Sequence, residues 1–310
     1  MDRRTFVAAM AALASGSTVL GENPNIGEKA NIGENPNPLH ISTNTYPWGT
    51  FYSREGKAFV VHSDEALAAI ASSGLTGYEP GVGNPGELQG LGPKLKRHGL
   101  LMRSIYVNST LHEKMEAQKS IDLVVAIGQK AAELGTRIIV TNPSPAGNKG
   151  DAELIRQAES LNQLGTRLKT LGISLAYHNH DVELRHGARE FHHMLTATDP
   201  DCVKFCLDAH WVFRGCGNSQ VALFDALSHY ADRVVEIHLR QSEKGIWTEA
   251  FSSTGDIDYD RLSGFLKKKG IRPHLVLEQA VEGGTPKTIN AVEAHKKGVA
   301  GVNRLFGWMA

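Results

Sequence analysis

Ser-Leu-Ala-Tyr-His-Asn-His-Asp-Val-Glu, residues 174–183, is the stretch that decides the fold. It begins as a short apolar run, as a buried strand does, and then turns polar. Four of its side chains can bind a metal or carry a proton: His178, His180, Asp181 and Glu183. A buried strand that ends in ionisable residues is typical of an active site at the carboxyl edge of a parallel sheet. The stretch therefore predicts a catalytic α/β protein, provided that other strands end in the same way.

Short apolar runs alternate with longer helical patterns from Leu39 onward. The apolar runs predict strands at residues 39–44, 76–80, 101–107, 136–141, 173–178, 203–208, 234–239 and 274–278. The helical patterns include segments at residues 64–73, 111–134, 151–171 and 219–231. Glycines stand shortly before later strands, where a helix C-cap requires them: Gly74, Gly99, Gly135, Gly172 and Gly270.

This alternation indicates the α/β class and favours a single-domain (β/α)8 TIM barrel over residues 39–310. A doubly wound open sheet is the alternative. No Gly-x-Gly-x-x-Gly follows the first strand, so a dinucleotide site has no support in the sequence. Gly255-Asp256 is expected to begin the helix before the last strand, with Asp258 as its cap.

The first 38 residues differ in composition from the rest. Residues 1–21 combine Arg3-Arg4 and Phe6 with an Ala-rich apolar run, which resembles a twin-arginine export signal. Residues 22–38 form a low-complexity linker of Gly, Pro, Asn and Glu. We therefore expect an exported, periplasmic protein, with an ordinary cytoplasmic protein as the alternative. No other stretch is apolar enough to predict stable membrane insertion.

The composition points to a small-molecule partner. Lys plus Arg and Asp plus Glu both number 33, so the balanced charge does not favour nucleic acid. Three cysteines, Cys202, Cys206 and Cys216, do not make a disulfide framework. Cys202 and Cys206 are expected to be small buried side chains, with a thiol ligand as the alternative. The sequence leaves open whether the protein forms a homo-oligomer.

Four strand ends supply a candidate metal site. Asp208 ends the run Phe205-Cys206-Leu207, Glu278 ends Leu275-Val276-Leu277, and His238 shares a strand face with Glu236. Together with His178 they lie at the carboxyl ends of four successive predicted strands. Two imidazoles and two carboxylates suit a divalent ion such as Mn²⁺, Co²⁺, Zn²⁺ or Fe²⁺.

Other residues at strand ends are candidates for substrate contact. Arg240 follows His238 on the same face and is suited to clamp an anion or a hydroxyl pair, and Trp247 is suited to stack on a sugar ring. The substrate-binding candidates are Glu79, Asn108, His210, Arg240 and Trp247.

Five motifs in this order resemble the xylose isomerase-like barrels, which include sugar phosphate isomerases and epimerases and, more distantly, AP endonuclease family 2. They are Tyr-His-Asn-His-Asp-Val-Glu at 177–183, Leu-Asp-Ala-His-Trp at 207–211, Ile-His-Leu-Arg at 237–240, Gly-Asp-Ile-Asp-Tyr at 255–259 and Leu-Glu at 277–278. The resemblance implies one divalent metal held by Glu, Asp, His and a second Glu. Asp208, His238 and Glu278 match the last three ligands, whereas His178 stands where many members have the first Glu.

This departure bears on the reaction. In the epimerases that the chain resembles, both glutamates exchange protons with the substrate. Glu278 is the remaining catalytic carboxylate, and the second acid or base is left open among His180, Glu183 and His210.

The function expected from the resemblance is a metal-dependent sugar isomerase or epimerase that works through an enediolate. A keto-sugar or keto-inositol dehydratase or lyase on the same metal site is the first alternative, since the same intermediate can lose a β-oxygen. A non-catalytic carbohydrate-binding barrel is the alternative from another class. A metal-dependent nuclease is disfavoured by the neutral charge.

Overall fold

A computed structural model describes residues 39–144 and 149–310. The predicted export signal and linker, residues 1–21 and 22–38, lie outside the described residues. Within the described part, no helix combines the length and the apolar character needed to cross a membrane.

Eight parallel strands form a nearly closed (β/α)8 barrel in a single domain, which confirms the predicted fold class. They are β1 Ile41–Asn44, β2 Gly77–Glu79, β3 Ser104–Tyr106, β4 Ile138–Thr141, β5 Ser174–His178, β6 Val203–Asp208, β7 Val234–Leu239 and β10 His274–Leu277. The order around the barrel is β2-β1-β10-β7-β6-β5-β4-β3. Between β2 and β3, backbone hydrogen bonds such as Tyr78 N–H to Leu101 O at 2.9 Å bring the two ends together.

The helices surround the strands. They are α1 Thr45–Arg54, α2 Asp64–Ser72, α3 Leu91–Arg97, α4 Lys114–Glu133, α5 Asp151–Lys169, α6 Arg185–Ala197, α7 Ala209–Gly215, α8 Gln220–Tyr230, α9 Tyr259–Lys269 and α10 Ala291–Phe306. An antiparallel hairpin of β8 Ser242–Glu243 and β9 Ile246–Trp247 stands between β7 and α9. Residues 186–188 of α6 have left-handed backbone angles, so its regular part follows them.

The predicted strand and helix signals are confirmed. The strands at 203–208 and 234–239 match at both ends, and the others are shorter than predicted by up to four residues. Ser63 caps α2 by accepting from Ala66 N–H, and Asp258 caps α9 by accepting from Arg261 N–H. The five predicted C-cap glycines all have positive φ, between 65° and 96°, as a left-handed cap requires.

One helix start was predicted wrongly. The helix before the last strand begins at Tyr259, so Gly255-Asp256 lies outside it. The Asp256 carboxylate instead accepts hydrogen bonds from Ser242 Oγ and from the backbone N–H groups of Lys244 and Gly245. Asp256, which precedes α9, therefore stabilises the β8–β9 hairpin.

The apolar core lies between the strands and the helices. Leu67, Ile121, Leu161, Leu207 and Leu266 belong to it, and each is fully buried or nearly so. Each such side chain stabilises the fold by about 1.5–3 kcal/mol relative to exposure. The barrel interior is more polar: Glu79 on β2 contacts His238 on β7, and strands that are not neighbours in the sheet can meet this way only across the interior.

Candidate metal centre

Three of the four predicted ligands converge where β6, β7 and β10 end. Asp208, His238 and Glu278 are all buried, and each offers a ligand atom within 4.8 Å of the other two. Glu278 Oε2 lies 2.7 Å from His238 Nδ1, yet the two atoms are not aligned for a hydrogen bond. Asp208 Oδ2 also has no hydrogen-bond partner among the described residues. Buried atoms that approach without bonding one another fit a shared cation, so these residues suit a divalent metal.

His178, at the end of β5, lies beside this group. Its ring centroid is 4.7 Å from that of His238, and its Nδ1 is buried without a hydrogen-bond partner in the described structure. Burial and the charges of His238 and His180 hold the pKa of His178 well below its usual range. The ring is therefore neutral, as a metal ligand must be.

Asp208 serves two purposes at the end of β6. Its Oδ1 accepts a 2.8 Å hydrogen bond from Trp211 N–H and caps α7. Its Oδ2 faces the centre and lies 3.9 Å from Arg240 Nη2. An Asp at the end of a strand can cap a helix or bind a metal. Asp208 can do both, because Oδ1 caps α7 and Oδ2 faces the centre.

A layer of polar groups lies against the other side of His238. His238 Nε2 is 3.2 Å from Glu79 Oε1 and 3.2 Å from Glu236 Oε1, while Ser104 Oγ donates to Glu79 Oε2 at 2.8 Å. Burial and the neighbouring Glu79 carboxylate raise the pKa of Glu236 to about 8. Glu79, predicted to bind substrate, is thus placed beneath His238. Glu236 and Ser104 were not predicted for the site.

Arg240 is fully buried behind the carboxylates. Its Nη2 lies 3.1 Å from Glu278 Oε1, and its guanidinium stands 4.3 Å from the Trp247 ring centroid and 5.0 Å from that of Trp211. Burial opposes ionisation of Glu278, but the charges of Arg240 and His238 outweigh it and hold the pKa of this carboxyl well below its usual range. Arg240 therefore stabilises the ionised form of Glu278, and the Trp247 ring stacks on its guanidinium group.

The loop after β5 is held by Glu183. Glu183 is buried, and its two oxygens accept from Asn142 Nδ2 at 2.9 Å and from His180 N–H at 2.8 Å. The His180 ring is half-buried, 4.9 Å from the His178 ring, and burial lowers its pKa. The geometry thus brings His180, rather than the Glu183 carboxylate, toward the centre.

The remaining substrate-binding candidates lie in different places. His210 is buried, with Nε2 at 3.0 Å from Ser242 Oγ, and its ring is 6.0 Å from that of Trp247. Asn108 is exposed beyond β3. A cleft of about 580 Å³ opens beside Tyr46 and Glu282.

Cys206 is buried, as expected, and packs against Val140 and Ala176. Its sulfur also offers a ligand atom within 4.8 Å of those of His178 and His238. A thiol ligand was the alternative expectation for Cys206, and its position two residues before Asp208 puts both side chains on one strand face.

The architecture and this site define a TIM barrel with a candidate divalent-metal centre at the carboxyl ends of its strands. The pattern of the xylose isomerase-like TIM barrel family matches residues 67–302. The chain belongs to this family, as its motifs suggested.

The chain is similar to a dehydratase in sequence and to sugar epimerases in structure. An inosose dehydratase of Clostridium perfringens is 25% identical over 246 residues, which cover 69% of this chain and 81% of the relative. A sugar phosphate isomerase/epimerase structure from Parabacteroides distasonis has a TM-score of 0.66 at 18% identity and covers 85% of this chain and 93% of its own. The 3-keto-D-glucoside 4-epimerase of E. coli has a TM-score of 0.62 at 15% identity, with 85% and 98% covered. The likeness to the two structures concerns the fold.

Proposed function

We propose that this protein is a divalent-metal-dependent lyase that removes water, or another β-oxygen group, from a keto-sugar or keto-cyclitol. The observation that carries the proposal is the convergence of Asp208, His238 and Glu278 beside His178, whose ring lies 4.9 Å from the ring of His180. The similarity to inosose dehydratases supports this reaction class. The reaction was the first alternative at the sequence level, and the placement of Glu183 now favours it over two-carboxylate epimerisation.

His178, Asp208, His238 and Glu278 would hold the ion. A divalent ion here supplies Lewis acidity, which polarises a substrate carbonyl and acidifies the neighbouring C–H bond. Arg240 adds a buried positive charge 3.1 Å from Glu278, which favours the negative charge that develops on an enediolate. The same charge keeps Glu278 ionised and ready to bind a cation.

His180 is the proton carrier in this proposal. Its lowered pKa keeps the ring neutral at pH 7, and its Nδ1 has no partner within residues 39–144 and 149–310. The imidazole takes the proton from the carbon next to the carbonyl and becomes an imidazolium. It then gives this proton to the departing β-oxygen as the C–O bond breaks and the C=C bond forms. Water leaves, and His180 returns to its neutral state without any other reactant.

A sugar isomerase or epimerase is the second candidate. Glu278 after β10 and His180 after β5 approach the centre from different strands, an arrangement that supports removal of a proton by one group and its return by the other. Both reactions begin with the same C–H cleavage and differ in the fate of the enediolate.

Metal analysis and deuterium labelling test the two functions together. The purified full chain is assayed for bound divalent metal and then incubated with keto-sugars and keto-inositols in D₂O. Products that have lost water support the lyase, and products that gain deuterium without losing water support the isomerase or epimerase. Metal-free protein that cannot be loaded contradicts both, and metal-replete protein without turnover on the panel favours the non-catalytic carbohydrate-binding barrel.

Variants separate metal binding from proton transfer. His180→Gln should lower kcat by about 100-fold or more while the protein keeps its metal. His238→Ala and Glu278→Gln should each abolish metal retention. His229→Gln, at an exposed position of α8, is the control and should behave as the wild type. An active, metal-replete double variant of His238 and Glu278 would refute the site.

We also propose that residues 1–21 direct export through the twin-arginine pathway. Paired Arg3-Arg4 ahead of an apolar run supports this proposal. Replacing both arginines by Lys should leave the protein in the cytoplasmic fraction, and unchanged export would contradict it.

A further inference from the structure

A cavity opens at the amino end of the barrel, at the other end from the candidate metal centre. It encloses about 470 Å³, and its walls include residues that precede or begin β1, β3, β4 and β10. His274 begins β10 and Glu278 follows its last residue, so roughly 13 Å of extended strand separates the cavity from the metal centre. The cavity therefore belongs to a different site.

Three arginines line this cavity: Arg103, Arg137 and Arg272. Arg103 and Arg137 lie side by side, because Arg103 O accepts a 2.8 Å hydrogen bond from Arg137 N–H. None of the described residues that line the cavity is acidic, and none of the three arginines forms a salt bridge within the described structure. By contrast, Arg54 and Arg304 each have a carboxylate oxygen within 3.0 Å. The three positive charges are thus left without a balancing anion.

The guanidinium groups also keep most of their hydrogen-bond donors for a ligand. Arg137 Nη1 donates to Thr136 O at 2.8 Å, and Arg272 Nη1 donates to Met309 O at 3.0 Å. Each guanidinium has five N–H donors, so these two bonds use only a small part of them. Like charges around one cavity repel one another, and a bound anion would offset that repulsion.

His274 adds a polar atom whose hydrogen bond is not satisfied. Its Nε2 is buried and has no partner within residues 39–144 and 149–310. The His274 ring stacks on that of His40 with centroids 5.3 Å apart, and His40 Nδ1 lies 3.0 Å from Thr76 Oγ1. Burial and the nearby His40 lower the pKa of His274 to about 3, so the ring is neutral and can donate one N–H. Buried polar atoms without partners are rare, and a ligand in the cavity would supply one.

We propose that this cavity binds a phosphate dianion, either inorganic phosphate or the phosphate group of a small ester. Arginine forks match the oxygens of phosphate bidentately, and three of them suit a dianion better than a single charge. A volume of about 470 Å³ also leaves room for the carbon skeleton of an ester. The site is separate from the metal centre and does not depend on the proposed function.

Binding at this place should stabilise the fold. The anion would connect the amino ends of β3 and β4, which Arg103 and Arg137 precede, with that of β10, which follows Arg272. A ligand that binds only the folded state raises the unfolding temperature as its concentration increases. We therefore expect the Tm of the full chain to rise with phosphate at constant ionic strength.

Titration calorimetry of the full-length protein with orthophosphate and with glycerol 3-phosphate tests the site. We expect one site per chain with a dissociation constant below about 1 mM at low salt. Arg103→Gln and Arg272→Gln should each raise this constant about tenfold, because each loses a charge-assisted hydrogen bond. Arg304→Gln removes the same charge from an exposed ion pair of α10 and is the matched control. Tighter binding of glycerol 3-phosphate would assign the cavity to an ester, and tighter binding of orthophosphate would assign it to the free ion.

Crystals of the wild type soaked in tungstate give a second readout that needs no variant. Tungstate is a tetrahedral dianion, and its anomalous scattering should place it between Arg103 and Arg272 beside His274. Phosphate affinity that neither arginine substitution changes would overturn the proposal, and so would a tungstate peak at the metal centre alone. A peak in the cavity without saturable binding below about 10 mM in solution would mean an adventitious ion only, which also overturns it. The variants should keep the metal content of the wild type, so either result leaves the proposed function intact.

Discussion

His238 has two ring nitrogens with different surroundings. Nδ1 faces Glu278 Oε2 at 2.7 Å, and Nε2 lies between Glu79 and Glu236 at 3.2 Å from each. A metal-binding histidine usually donates its other N–H to a carboxylate, which fixes the tautomer and the ring orientation. The alternation along β7 predicted that Glu236 shares a face with His238. The contact with Glu79 comes from across the barrel, and no local pattern could predict it.

Replacing Glu236 should therefore weaken metal binding without removing a predicted first ligand. Glu236→Gln keeps the shape of the side chain but replaces the carboxyl group that lies 3.2 Å from His238 Nε2 by an amide. We expect the dissociation constant for Zn²⁺ or Co²⁺ to rise about 10–100-fold in titration calorimetry. Glu243→Gln, at an exposed position of β8, is the matched control. Equal affinities of the two variants would show that Glu236 does not position His238.

His295 predicts acid sensitivity of the fold. It is buried and stacked on Trp48 with ring centroids 4.2 Å apart, and burial lowers its pKa to about 4. In the unfolded chain its pKa is about 6.5, so between these values the unfolded state binds more protons. This contribution to stability is fully present above pH 6.5 and is lost as the pH falls toward 4.

The loss due to His295 is on the order of 1.4 kcal/mol per pH unit at most. His295→Phe retains an aromatic ring against Trp48 and cannot titrate, so its free energy of unfolding should fall less steeply between pH 6.5 and 4. Urea unfolding at several pH values measures the slope, and His229→Gln should retain the wild-type slope. A slope in His295→Phe as steep as in the wild type would contradict the assignment.

The hairpin after β7 shows what sequence patterns miss at the level of elements. β8 and β9 have two residues each, which is too short for an alternating pattern, and the turn at Lys244-Gly245 has positive φ at both residues. Glu282 accepts from Trp247 N–H and from both terminal nitrogens of Arg214. The hairpin is thus held by residues far away in the sequence. Trp247 was a predicted site residue because its ring is suited to stack on a sugar, whereas its partner Glu282 carries no local signal.

Gly165 fixes the distance between α5 and the start of β6. A Cβ built at this position would lie 2.1 Å from the backbone oxygen of Cys202, and rigid backbone cannot yield cheaply. Gly165→Ala should lower the free energy of unfolding by about 1–3 kcal/mol, the usual cost of overpacking.

Gly264→Ala in α9 is the matched test of this packing argument. A Cβ at Gly264 meets nothing within 4 Å, so alanine should stabilise the helix by about 0.5–1 kcal/mol. Urea denaturation of both variants measures the two changes. Changes of the same sign and size would mean that packing at Gly165 does not limit the approach of α5.

For the whole molecule, the sequence predicted the barrel better than its interior. Apolar runs and C-cap glycines are local signals, so the eight barrel strands lie where they were expected. The site depends on closure of the barrel, which brings Glu79 on β2 against His238 on β7 across the interior. Glu183 illustrates the limit: the sequence left its role open among His180, Glu183 and His210, and tertiary packing buries its carboxylate against Asn142 Nδ2 and His180 N–H.

Closure of the barrel also predicts which residues before β1 can be deleted without loss of the fold. β1 begins at Ile41 and pairs with β10 on one side and β2 on the other, so the described part contains the strands that close the barrel. A variant that lacks residues 2–38 should therefore remain soluble, with the far-ultraviolet circular dichroism expected for the barrel and a Tm close to that of the full chain. Removing residues 2–44 deletes β1 and leaves edges on β2 and β10, so this control should aggregate. Aggregation of the shorter deletion would mean that residues 2–38 contribute to the fold, and a stable fold in the longer one would mean that β1 is dispensable for closure.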